Sequence, residues 1–265
     1  MNPRRFWRDM PSSAFGPHAA DWIAVLPLAA IEQHGPHLPV GVDAIIARSM
    51  VDACAEALPA DLPVTFLPVQ EIAKSNEHVR FPGTLTLGWD TTIRQWIDIG
   101  RSVARAGPRT LVLVTSHGGN VAPMDIAARE LREGENLRVV TTSWGRLGDW
   151  KAIYGHDEPV IDIHGGLIET SLMLAMRPDL VDMEAARDFA SDQSRMADAH
   201  AMLGWHGSPA NTAWLAGDLN PDGVVGDASS ASAELGRRDM ASMVEGFCRL
   251  MGELRDETGR RRPLA

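Results

Sequence analysis

The chain has 265 residues, 45% of them hydrophobic and 23% charged, enough for one large α/β domain or two small ones. Its 35 acidic side chains outnumber 25 basic ones, and the net charge of −10 argues against a nucleic-acid or anionic-membrane surface. Only Cys54 and Cys248 occur, far apart and without a C-x-x-C spacing, so neither a disulfide nor a thiolate zinc site is expected.

The opening stretch, MNPRRFWRDMPSSAFGPH, has arginines but lacks the apolar core of a signal peptide. No apolar run approaches the roughly 20 residues needed to cross a bilayer, so the expected location is the cytoplasm. Residues 22–28 (WIAVLPL) form a continuous apolar run, read as a buried strand. The loop EQHGPHLPVGVD follows, packing Glu32, His34, His37 and Asp43 into twelve residues. Helical spacing then runs over 43–58, with Asp43 where an N-cap would stand. A second strand is expected at 64–67 and a Pro-Gly loop over 75–84.

A helix is expected over 90–106, stopped by Gly107-Pro108. Residues 110–115 (TLVLVT) make the clearest strand, β-branched and fit for the middle of a sheet. They lead into Ser116-His117-Gly118-Gly119-Asn120, a helix to about 132 and a strand at 137–142. An extended approach over 160–163 precedes His164-Gly165-Gly166 and a helix over 167–176, closed by Pro178. Residues 183–226 are expected to be irregular, and 229–253 a long final helix. The alternation predicts a mostly parallel sheet covered on both faces. One domain is expected, its core at about 20–255, with an N-terminal arm (1–19) and a solvated tail (256–265).

Ligands gather at the carboxyl ends of strands in open parallel sheets. Three polar clusters stand at such ends: Glu32/His34/Asp43, His117, and His164/Glu169. His34, His117, His164 and His206 are each followed by glycine, which lets a ligand approach closely. One such histidine is more often structural than functional; several beside carboxylates suit divalent cations.

Together the EQHGPHLPVGVD loop, SHGGN after a strand, FPGT, HGGLIETSLML and GVVGDASSASAELG resemble the creatininase (creatinine amidohydrolase) family over roughly residues 20–250. The resemblance implies a three-layer α/β/α sandwich, two divalent metal ions, and hydrolysis of a C–N bond in a small cyclic amide, lactam or formamide. By its motif, Glu32, Asp43 and His117 hold one ion, while His34, a bridging Asp43 and a second carboxylate hold the other. In creatininase proper that further ligand is a glutamate two residues after the strand-end histidine. Here Gly119 takes that place, which makes Glu169 the replacement and weakens the case for creatinine itself. Zinc is the foremost ion, with manganese or iron accepting the same donors. The family also implies a homo-oligomer, with a hexamer as one form; neither nucleic acid nor membrane is expected as a partner.

Two ions lower the pKa of a bridging water, so the expected reaction proceeds through a metal-activated hydroxide. His164 is assigned to protonate the leaving nitrogen, as an imidazole exchanging a proton near pH 7. Glu169 is the general base if it is not a ligand. Backbone N–H groups of Gly118 and Gly119 offer an oxyanion site.

Glu77 and His78 line the substrate pocket or stabilise their own loop. His37 supports the ligands from behind, and Asp162 orients His164 or ends a strand. Asn120 caps the following helix and touches substrate secondarily. Trp205 and His206 contact a ring-shaped substrate or simply pack, and Asp227 bonds backbone near the site. The competing functions are a metallopeptidase trimming a modified precursor peptide and a non-catalytic metal-binding scaffold.

Overall fold

The computed structural model describes residues 2–155 and 162–257. Residues 160–161 of the anticipated extended approach, and 258–265 of the tail, lie outside the described residues.

Four strands form one parallel sheet: β1 (Ile23–Leu28), β2 (Val64–Phe66), β3 (Thr110–Thr115) and β4 (Arg138–Ser143), in the order β2-β1-β3-β4. Every residue of β1 and β3 is buried, as their unbroken apolar runs require. The strands stay in step, with Leu28 opposite Thr115 and Thr115 opposite Ser143. Three strand ends therefore stop level at one edge. The chain leaving β1 reaches Glu32 four residues later, and the chain leaving β3 reaches His117 after two.

Alternate strand residues point to opposite faces, so the sheet has a core on each side. Ile23, Val25, Val112 and Val114 pack with Ile46, Met50, Met173 and Phe247. Ala24, Leu26, Leu111 and Leu113 pack with Ile93, Trp96, Met124 and Leu131. The first face is covered by α1 (Val42–Ala57) and the second by α2 (Trp89–Ala106) and α3 (Val121–Glu135). Two short helices, α4 (Trp144–Leu147) and α5 (Trp150–Tyr154), follow β4. On the first face lie also α6 (Leu167–Met176) and, beyond the shorter α7 (Asp192–Ala199) and α8 (Ala216–Leu219), the long α9 (Ala233–Asp256). The α/β architecture with helices on both faces agrees with the sequence pattern. Among the described residues no helix is long and apolar enough to cross a membrane.

Two local expectations are corrected. Gly41, not Asp43, is the N-cap of α1; Asp43 lies in its first turn with no capping bond. The difference frees its carboxylate for the sheet edge. Within 183–226 the chain is less irregular than expected. It forms α7, α8 and the two-residue strands β5 (Asp188–Phe189), β6 (Leu203–Gly204), β7 (Ala210–Asn211) and β8 (Gly226–Asp227).

Candidate metal centre

The loop after β1 closes through the Glu32 N–H, which donates to the Val40 carbonyl at 2.9 Å. This turns Glu32 inward until it is fully buried. The loop after β3 is clamped by Thr115, whose hydroxyl donates to the His117 carbonyl and accepts from its N–H. Ser116 Oγ donates to the Asp43 carbonyl at 2.9 Å, tying α1 to that loop. Hence Glu32, Asp43 and His117, from three segments, face one another.

The second set adds the far side of the edge. His34 Nδ1 lies 3.0 Å from the Glu32 carbonyl, so Nδ1–H donates there and the Nε2 lone pair is left free. Nε2 faces Asp43 Oδ2 at 3.7 Å and Glu169 Oε2 at 3.6 Å. Glu169 stands in the first turn of α6, where its Oε2 accepts the Gly165 N–H at 2.6 Å. Gly165 has φ +66°, a left-handed backbone that glycine adopts without a Cβ penalty.

Three groups of donors each lie within 4.8 Å of one another: Glu32/Asp43/His117, His34/Asp43/Glu169 and Glu32/His34/His164. The first two share Asp43. Among the described residues, both Glu32 oxygens, His34 Nε2 and Asp43 Oδ2 are buried without a hydrogen-bond partner. Burying such groups unpaired costs roughly 1–3 kcal/mol each, more for charged ones. A divalent cation answers that cost, and an N/O donor set suits zinc, manganese or iron. The residues present therefore fit the expected ions.

The electrostatics point the same way. Burial would raise the Glu32 carboxyl, but His117, His78 and His164 outweigh it and hold the group well below the usual carboxylate range. Burial with Glu32 as a like-charged neighbour pushes Asp43 well up. Burial opposes charge on His34 and His117 too. Yet Glu169 and Asp43 lift His34 to about 9, and Glu32 with Glu77 lifts His117 well above its ordinary value. Glu169, despite burial, is held down to about 2 by His34. Carboxylates that retain imidazole protons so strongly would equally retain a dication, with release of those protons.

His164 is less basic than an imidazole that exchanges a proton near pH 7. Burial, then the neighbouring His34, pushes it down to about 4. It is neutral at pH 7, and a nearby dication would lower it further. Its Nε2 lies 2.6 Å from the Gln33 carbonyl, so Nε2–H donates there and Nδ1 faces Glu32 Oε1 at 3.6 Å. Asp162 Oδ2 accepts the Ile168 N–H at the start of α6, just beyond His164 in the chain.

Gln33, lying within the loop motif, has a role that the sequence reading missed. Its amide donates to the Gly223 carbonyl and to His78 Nδ1, both at 2.8 Å, and accepts the Gly35 N–H. That leaves the His78 proton on Nε2, 3.5 Å from Glu32 Oε1, while burial drives His78 down to about 2. Its polar character between two charged residues was the only available signal.

His37 lies behind the donors, its Nε2 2.9 Å from Thr170 Oγ1 and its ring stacked on Phe189. Asn120 makes no side-chain cap to α3. Fully buried, it donates to the Ala29 carbonyl and Thr115 Oγ1 and accepts the Lys74 N–H. Gly118 is exposed and Gly119 half-buried beside His117, and Glu77 Oε1 sits 3.2 Å from His117 Nε2. Trp205 and His206 pack around α7, where Trp205 Nε1 donates to Asp192 and both backbone N–H groups reach Gln193. Asp227 accepts the Ser229 N–H.

Comparisons with known proteins bear on most of the chain. The family model for creatininase, described as creatinine amidohydrolase, matches residues 9–251. Creatinine amidohydrolase of Pseudomonas putida is 37% identical over 182 residues, 64% of this chain and 70% of that protein. Mycofactocin precursor peptide peptidase of Mycobacterium tuberculosis (strain CDC 1551 / Oshkosh) is 32% identical over 227 residues, 83% of this chain and 81% of its own. A solved creatininase mutant of Zn-Zn type superposes with a TM-score of 0.73 at 28% identity, covering 95% of this chain and 98% of that one.

Proposed function

The chain belongs to the creatininase family of metal-dependent amidohydrolases, and from that premise we propose that it hydrolyses a C–N bond of a small cyclic amide, lactam or formamide. The carrying observation is the pair of donor sets, Glu32/Asp43/His117 and His34/Asp43/Glu169, joined through Asp43. These two sets would each hold a divalent ion, with Asp43 common to both, and the Zn-Zn type of the related creatininase favours the same reading. Divalent ions held there supply polarisation of the scissile carbonyl and a lowered pKa for the attacking water.

The chain's own residues do the rest. Asp43 fixes the spacing of the two sets, and Glu32 and His34 orient them from a loop closed on itself. His164 keeps its proton on Nε2, so Nδ1 is the atom that accepts a proton and passes it to the departing nitrogen. Its low basicity favours the onward transfer to the nitrogen and makes the preceding proton uptake correspondingly costly. Glu169 stays ionised, serving as a ligand. The exposed backbone at Gly118 is placed to steady developing negative charge.

A second reading is a metallopeptidase acting on a modified precursor peptide. The peptidase relative supports it by aligning over 83% of this chain, against 64% for creatinine amidohydrolase. The test is a product assay of the zinc- or manganese-loaded protein on small cyclic amides, formamides and short peptides. Turnover of a small amide is expected; cleavage of peptides alone would overturn the first reading in favour of the second.

A further inference from the structure

His117 is flanked by carboxylates on both sides of its ring. Nδ1 lies 3.1 Å from Glu32 Oε1, on the side shared with Asp43. Nε2 lies 3.2 Å from Glu77 Oε1, on the opposite side. Glu77 belongs to none of the three donor groups. An imidazole has one lone pair to offer a metal only when its other nitrogen holds the proton, and a carboxylate behind that nitrogen fixes the choice.

Two observations make this contact a built feature. The short helical turn carrying Glu77, Asn76–His78, is held on both sides: Asn120 accepts the Lys74 N–H, and Gln33 holds His78 Nδ1. The same buried amides that line the donor groups thus set the position of Glu77. Further, position 119 is glycine, and a Cβ there would collide with both Glu77 Oε1 and His117 Nε2. The contact exists because residue 119 has no side chain. The contact is a close approach of Nε2 to the carboxylate and lacks the alignment of a full hydrogen bond.

We propose that Glu77 is the positioning residue of His117, its carboxylate holding the imidazole proton on Nε2 so that the Nδ1 lone pair faces Glu32 and Asp43, in space that Gly119 leaves open. The inference rests on the metal-site reading above. Outer carboxylates of this kind are generally worth about 10–100-fold in metal affinity.

The test measures zinc affinity of the full chain by competition with a chromophoric chelator, together with the absorption spectrum of the cobalt-loaded protein. Glu77→Ala is expected to weaken one zinc site about 10–100-fold and shift the cobalt bands. E77Q, whose amide oxygen still accepts from Nε2–H, is expected to stay within about threefold of the parent with an unshifted spectrum. Should Glu77→Ala not fold, Glu77→Asp replaces it with the same expectation, because its carboxylate stops about one bond (~1.5 Å) short. Parent-like affinity in the truncated variant would overturn the proposal. So would an E77Q defect as large as that of Glu77→Ala, which would mark direct coordination instead. If the parent itself bound no divalent ion, the metal reading beneath would fail, a result distinct from either.

Discussion

The two donor sets that meet at Asp43 differ in depth. In the first, Glu32, Asp43 and His117 are 0%, 1% and 6% exposed. All three stand at the sheet edge, on segments hydrogen-bonded to each other. In the second, Glu169 leaves 21% of its side chain exposed and comes from α6, across the site. Buried charges interact strongly and are little screened, whereas a ligand with a solvent path can be exchanged. On the proposed reading, the sheet edge would offer one buried, preorganised position and one with a path to solvent.

The largest effect should come from the residue common to both. Asp43→Ala is expected to reduce bound metal below one equivalent and lower turnover by about 10³-fold or more, roughly 4 kcal/mol of transition-state stabilisation. Elemental analysis and steady-state kinetics check this, and full activity with Asp43 removed would break the comparison outright. Next, Glu169→Ala should remove one equivalent and leave the other, with an affinity loss above the roughly 100-fold typical of outer partners. Chelator titration of the parent should likewise release two equivalents in separate phases. A single phase would show the sets to be equivalent.

A smaller effect is expected where the polar framework serves both sets. Gln33→Leu strands the Gly223 carbonyl, the Gly35 N–H and His78 Nδ1, at about 3 kcal/mol in denaturant unfolding. The smallest lies away from either set. Burial pushes Asp239 up to about 6, although Tyr154 donates to it. Its folded value lies above its unfolded one, so the native state binds the extra proton. Stability from this group is present below about pH 4, falls as pH rises toward about 6, and stays reduced above. Asp239→Asn should remove that slope and gain about 1–2 kcal/mol at pH 8, read from thermal melts across pH with metal content unchanged.

Much of this was legible in the sequence because it depends on short-range pattern. The unbroken apolar runs of β1 and β3 announced a parallel sheet. The rule that ligands gather at strand ends singled out Glu32, His34, Asp43, His117 and Glu169, and the structure brings all five together. What escaped depends on partners distant in sequence. Asp43 looked like a cap because acidic residues favour helix starts, yet Gly41 takes that place. Asn120 stands at the N-cap position of α3 as expected, but its amide makes no cap bond and reaches back to Ala29 and to the Lys74 backbone.

By itself, the sequence determined the order of elements, the family, and which side chains have the chemistry to hold metal. The order follows from period and spacing, the donors from residue type, and the family from the resemblance of its motifs. Only the tertiary structure decided the state of each group. Burial and His34 lower the basicity of His164, and the Gln33 carbonyl, 131 residues earlier, accepts a hydrogen bond from its Nε2–H. Glu77, 40 residues before His117, reaches its ring in the space that Gly119 leaves open. Desolvation and hydrogen-bond partners arise from what folding brings near, and no local pattern encodes them.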